Sequence, residues 1–197
     1  MTFGNCEAVI LAGGQSKRMG TNKALLPREG KRMLAYIYDQ LSDFSACCLS
    51  SNDPILDEYL DIPVVRDVYG KCGPLGGIHA AMLHSNKEAV FVVPCDFPFF
   101  SAEIPRLMLE AFSEEWDAIV CVDAEGMVHP LCGIYQCNIL GVLESQLQQG
   151  DYRVRHLLDK LKWKQFCVKE YLSDQVLFNM NTLEEYHKMQ EILSDDD

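Results

Sequence analysis

Two glycines, three cations and one isolated aspartate in this sequence are spaced for work on a phosphate-bearing ligand. Gly13 and Gly14 follow the apolar run 8–12, and Lys17, Arg18 and Lys23 come after them in the same stretch. Glycine lets a backbone take positive φ and approach a ligand closely, so successive N–H groups can converge on an anion. Arg18 can fork onto a phosphate, while Lys23 can act as a compact point charge. The stretch contains no G-x-G-x-x-G and no Gly-Lys-Ser/Thr, so it is neither the dinucleotide fingerprint nor the ATPase phosphate loop. On the glycines alone, an anion nest and an ordinary βα turn with surface cations are both open.

Asp96 follows the most apolar run of the chain, 89–93, and sits between Cys95 and Phe97-Pro98. A carboxylate at such a strand end must be hydrogen-bonded, paired with a cation or bound to a metal. Beside nucleotide phosphates the usual metal is Mg²⁺, held by one or two carboxylates and phosphate oxygens. The competing reading is a helix-cap or turn aspartate. Pro98 and Ser101 already supply a turn and a cap, which favours the metal.

The remaining polar candidates are weaker. Asp67 has Arg66 and Lys71 as competing salt-bridge partners, and Asn52 suits a base or ribose edge as well as an everyday Ser-Asn-Asp-Pro turn. His129, before Pro130 and expected in a loop, is open to general-base, substrate-orienting and structural roles. Arg153 and Arg155 diverge if they share a helix, one reaching substrate and the other solvent. Asn179 and Asn181 either line a polar pocket or lead into a helix with the capping box 182–185.

The elements that must position these groups alternate in kind. Apolar runs at 8–12, 46–49, 63–65, 89–93, 118–122, 131–135 and 166–168 read as strands. Helical spacing recurs at 33–44, 80–83, 104–112, 139–147, 153–161 and from 183 onward, and a second glycine-rich loop is expected over 70–78. The order predicts an α/β fold: a single doubly wound, mostly parallel sheet with helices on both faces, in one domain over 1–197. Ligands of such sheets sit beyond the carboxyl ends of the strands. The glycine turn, Asn52, Asp67 and Asp96 each follow a strand, so they are predicted to converge, and the phosphate reading gains over the ordinary turn.

Composition narrows the ligand further. A net charge of −12 repels nucleic acid and anionic membrane surfaces, so the cations at 17, 18 and 23 point to a small anionic ligand. The nine cysteines are an odd, scattered set without a C-x-x-C pair, which suits free thiols in a reducing compartment rather than a disulfide or zinc framework. No run approaches a membrane span and no leader is evident, so a cytoplasmic protein is expected.

Taken together, LAGGQSKRMG with Lys23, GPLGGI at 73–78, VPCDFPFF at 93–100, HPL at 129–131 and NMNT at 179–182 resemble the molybdenum cofactor guanylyltransferase family over nearly the whole chain. The resemblance implies a nucleotide-diphospho-sugar transferase-like fold and transfer of GMP from GTP onto the terminal phosphate of Mo-molybdopterin, giving the guanine dinucleotide and pyrophosphate. By position, it implies GTP contacts at Leu11, Ala12, Gly13, Gly14 and Lys23. Asn52 and Asp67 help hold the nucleotide, and Asp96 binds both nucleotide and Mg²⁺. Arg18, Lys23 and Asp96 form the catalytic set; His129, Arg153, Arg155, Asn179 and Asn181 form the acceptor side. Other molybdenum cofactor biosynthesis proteins and molybdoenzyme clients are the implied protein partners, with the chain a monomer or weak homo-oligomer.

One departure stands out. The family commonly carries Asp immediately before the loop lysine, where this chain has Asn22, removing a partner for Arg18 or Lys23. The chemistry asks for no dedicated base, since a phosphate monoester with a second pKa of about 6 is largely ionised near neutral pH. Competing functions are the cytidylyltransferase of the same cofactor, whose loop usually reads Leu-Ala-Ala-Gly, and a sugar-1-phosphate nucleotidyltransferase, which generally follows the two glycines with Gly and Thr. A nucleotide- or cofactor-binding protein without turnover is a third reading, opposed by Lys23 and Asp96 together.

Overall fold

The computed structural model describes residues 1–13 and 22–195. The chain opens with β1 (Cys6–Leu11), then a small hairpin of β2 (Pro27–Arg28) and β3 (Lys31–Arg32) leads into α1 (Met33–Asp39). β4 (Cys47–Ser50), β5 (Val64–Val65), α2 (Pro74–His84), β6 (Ala89–Pro94) and α3 (Glu103–Ala111) follow. β7 (Ala118–Val122), β8 (Val128–Gln136), α4 (Leu140–Gln148), α5 (Val154–Leu158), β9 (Trp163–Cys167) and α6 (Leu183–Asp195) complete the order.

Seven strands form one sheet in the order β5-β4-β1-β6-β8-β7-β9. Every neighbouring pair is parallel except those made by β8, which runs against both β6 and β7. β1 and β6 are buried along their whole length, as expected of central strands covered on both faces and written as near-continuous apolar runs. Side chains alternate along a strand. Ala8 and Ile10 therefore pack with α1 and α3 on one face, and Val9 and Leu11 with α2, α4 and α5 on the other. The doubly wound expectation holds. A third cluster of Leu26, Met33, Met180, Tyr186 and Met189 fastens α6 across the hairpin.

Two local expectations need correction. The stretch 70–78 is not one glycine loop. Gly70 and Gly73 take φ of +61° in the loop, but Pro74 opens α2 directly, and Gly76 and Gly77 lie inside the helix. Glycine in a helix costs about 1 kcal/mol relative to alanine, and close packing is what it gains here. A Cβ at Gly77 would stand 2.4 Å from Ser50 Oγ, and one at Gly76 would stand 3.0 Å from the Asp67 carboxyl. The amino end of α2 can thus press against the ends of β1 and β4.

His129 is not in a loop either; it lies on β8. Pro130 does not end the strand because the ladder slips there. Val120 pairs with Gly133 and Cys121 with His129, which leaves 130–132 in a bulge where a missing N–H does no harm. Elsewhere α1 stops at Asp39 although Leu41 and Phe44 remain buried beyond it. All nine cysteines are free thiols, and no described helix is long and apolar enough to cross a membrane.

Candidate active site

The strand register brings the two halves of the expected site together. Leu11 of β1 is opposite Pro94 of β6, so Gly13 and Asp96 each stand two residues beyond the same rung. Backbone bonds continue past the ladders. Cys95 N–H donates to Leu11 O at 3.0 Å, and Ala12 N–H donates to Ser50 O at 2.9 Å. The carboxyl ends of β4, β1 and β6 are laced into one rim, at the switch point where β4 leaves one side of β1 and β6 the other. Leu11 and Ala12 are buried in this rim and Gly13 is exposed on it. Gly13 does not use a positive φ, and a Cβ there would meet nothing within 4 Å among the described residues. Gly14 and Arg18 lie outside the described residues.

Lys23 reaches into the rim from a short 3₁₀ turn, Lys23–Leu25, capped by Asn22. Its Nζ lies 3.2 Å from Asp96 Oδ2 and donates to Asn181 Oδ1 at 2.6 Å. Burial pushes the Asp96 carboxyl above the usual carboxylate range, and the charge and hydrogen bond of Lys23 pull it back only in part. Asp96 Oδ1 is buried without any hydrogen-bond partner among the described residues. One oxygen of this carboxylate is thus held by a lysine, and the other is left over by the described residues.

The segment before α6 meets the rim at Asp96. Met180 N–H donates to Asp96 O at 2.9 Å, and Asn181 Nδ2 donates to Asn179 Oδ1 at 2.9 Å. Glu185 completes the capping box with Thr182 and also accepts the Asn181 N–H at 2.6 Å. Asn181 thus reaches Lys23 while its own N–H belongs to the approach to α6, and Asn179 meets it through the amide hydrogen bond.

Asn52 accepts the Asp67 N–H at 3.2 Å, which ties these two expected nucleotide contacts to one another. Arg66 pairs with Asp57 instead of Asp67. Asp67 is half-buried with its carboxyl against Gly76 at the start of α2. Asn22 does not compensate for a lost partner of Lys23. Its Nδ2 donates to Asp53 Oδ2 at 2.7 Å and its Oδ1 accepts the Ala24 N–H at 3.0 Å.

His129 Nε2 lies 3.0 Å from Asp123 Oδ2, and its ring packs edge-on against Phe97, the neighbour of Asp96. Burial works against the charge on Asp123, yet His129 and the N–H groups of Met127 and Glu125 hold the carboxyl below its usual range. Asp123 went unnoticed in the sequence because Asp-x-x-Gly at 123–126 reads simply as a turn. Arg155 Nη2 approaches Val128 O at 3.4 Å beside His129, whereas Arg153 turns toward His156. The two arginines do diverge.

A strand-end lysine–aspartate pair on an α/β rim is found in many phosphate-handling folds, so relatives decide between them. The sequence model of the MobA-like NTP transferase domain matches residues 8–165. The chain belongs to that family. It is a nucleotidyltransferase of the MobA type, and the matched segment carries Gly13, Lys23, Asp67, Asp96 and His129. It is 34% identical, over 96% of its length and 98% of the relative's, to the probable molybdenum cofactor guanylyltransferase of Carboxydothermus hydrogenoformans. Among solved structures it is similar to molybdopterin-guanine dinucleotide biosynthesis protein A of Archaeoglobus fulgidus, with a TM-score of 0.83 and 23% identity, covering 96% of this chain and 99% of that one. A CMP:2-keto-3-deoxy-manno-octonic acid synthetase complexed with CTP shares the fold at a TM-score of 0.78 and 11% identity, over 98% and 99% of the two chains.

Proposed function

We propose that this enzyme transfers GMP from GTP to the terminal phosphate of Mo-molybdopterin, with Mg²⁺ and release of pyrophosphate. The observation that carries the reading is the Lys23–Asp96 pair at the β1/β6 rim, in a chain 34% identical to a probable molybdenum cofactor guanylyltransferase. Asp96 suits the metal. Its spare buried oxygen asks for a partner, and among the described residues no group of three or more His, Cys, Asp or Glu side chains could cage an ion. One carboxylate completed by phosphate oxygens and water is a Mg²⁺ donor set. When bound, the ion would neutralise charge gathering on the departing pyrophosphate.

The protein's own groups divide the remaining work. Lys23 already shares Asp96 and Asn181, so its ammonium waits where phosphate charge must be met. Leu11, Ala12, Gly13 and Gly14 offer backbone to the nucleotide, Asn52 and Asp67 hold the nucleoside, and Arg18 adds a second cation. On the acceptor side are His129, Arg153, Arg155, Asn179 and Asn181. His129 is engaged through Nε2 with Asp123, which suits orientation of the acceptor better than abstraction of a proton. An ionised phosphate nucleophile needs no base, so catalysis rests on positioning and charge neutralisation. The expected setting is the cytoplasm, with other cofactor-assembly proteins and molybdoenzymes as partners.

The test is pyrophosphate release with Mo-molybdopterin and each of the four common nucleoside triphosphates in turn. GTP-selective, Mg²⁺-dependent release is the expected result. Release with CTP alone, or with none of the four, overturns the reading.

A further inference from the structure

At the amino ends of β1 and β4, the opposite end of the sheet from Asp96, a groove of about 680 Å³ opens between the end of α1 and the end of α2. That volume is within the range of about 300–1,000 Å³ typical of small-molecule sites. Glu7, the one charged residue of β1, lines it and is only 5% exposed. Among the described residues no N–H or hydroxyl donates to the Glu7 carboxylate. Its close neighbours are thiols. Burial first, and then the Glu7 carboxylate, push Cys47 up to about 12 and Cys137 to about 11, and Cys48 is raised for the same reasons. Thiols held this high stay protonated, and a thiol hydrogen is a weak donor.

A carboxylate this deeply set, with no N–H or hydroxyl donor among the described residues, can be met only through the groove that it lines, and a cation is its complement there. The surrounding charges agree. Asp39 on the rim is paired with Lys31, and the nearby Lys87 ammonium is taken by Gly4 O and Ser45 Oγ. His84, the one basic residue in the lining, is exposed in the last turn of α2, where the carboxyl pole of the helix itself favours positive charge. No set of three metal-ligating side chains lies here among the described residues, so the groove does not suit a bare metal ion.

We propose that this groove binds an alkylammonium or guanidinium cation, its charged head seated on Glu7 and its stem against Leu41, Phe44 and Ile62. Such a head group arrives on a free small amine or on a lysine or arginine side chain of a protein partner. Oxygen acceptors at Ser42, Ser45 and Asn86 can take its remaining hydrogens.

The test is a titration of ¹⁵N-labelled protein, followed by amide chemical shifts, with n-butylammonium and n-butylguanidinium, and with 1-butanol and butyrate as neutral and anionic controls. Saturable shifts at Glu7, Cys47 and Asn86 with the cations, and none with the controls, are expected. E7Q should weaken cation binding by about tenfold or more, with GTP binding intact. A peptide with one lysine among glycines separates the sources: tighter binding than butylammonium assigns a protein partner, weaker binding a free amine, and either supports the site. Equal response to 1-butanol, the same shifts with Mg²⁺ alone, absence of shifts, or undiminished binding to E7Q overturns the proposal. Should E7Q not fold, the contrast between butylammonium and 1-butanol on the wild type decides.

Discussion

Asn22 uses both ends of its amide, giving a hydrogen to Asp53 Oδ2 at 2.7 Å and taking one from the Ala24 N–H at 3.0 Å. An aspartate could keep the second bond but would set a like charge against Asp53. N22D should therefore lower the melting temperature at neutral pH, by a stability loss on the order of 1 kcal/mol. Adding D53N should restore it, with a coupling of about 0.5–3 kcal/mol between the two positions. An unchanged melting temperature in N22D would mean that the pair contributes nothing. Asp96 presents the opposite balance. Its burial raises the carboxyl, and among the described residues Oδ1 has no partner, a cost that a bound ligand would relieve.

The elements around the site are held by two small devices. One is the cap of α6. Burial acts to raise Glu185, but the N–H groups of Asn181 and Thr182 outweigh it and hold the carboxyl below its usual range. A depressed carboxyl contributes stability that is full above its unfolded value of 4.5 and is lost as pH falls through the lower folded value. E185A should cost about 0.5–2 kcal/mol near neutral pH, as lost caps do. Its deficit against wild type in urea unfolding should shrink below pH 4.5, and a deficit constant down to strong acid would contradict this account of the cap. Because Asn181 holds Lys23, the same variant should also raise the KM for nucleotide. The second device is Gly77. G77A should destabilise by about 1–3 kcal/mol through overpacking against Ser50. S50A should recover part of that loss, since Ser50 Cβ stands at an acceptable 3.5 Å. Absence of rescue would place the strain on Leu11 instead.

Over the whole molecule, the sequence was most informative where physics is local. Apolar runs without alternation marked β1 and β6, and the rule that ligands gather at strand carboxyl ends placed Gly13 beside Asp96 before any coordinates. It was least informative where partners are remote. Nothing local joins Lys23 to Asn181 across 158 positions, or Asn22 to Asp53, because each bond depends on how α6 and the β4 loop return to the rim. His129 and the 76–77 glycines misled for a related reason. Proline and glycine ordinarily punctuate a chain, and here a strand bulge and a tight helix–sheet contact absorb them. The central claim is that Asp96 holds a divalent ion against a triphosphate gripped by the same rim as Lys23. The most direct measurement is GTP affinity by calorimetry with and without Mg²⁺, on the wild type and on D96N. The account predicts that Mg²⁺ tightens binding to the wild type and leaves D96N, still folded, unchanged; an equal Mg²⁺ gain in both proteins would contradict it.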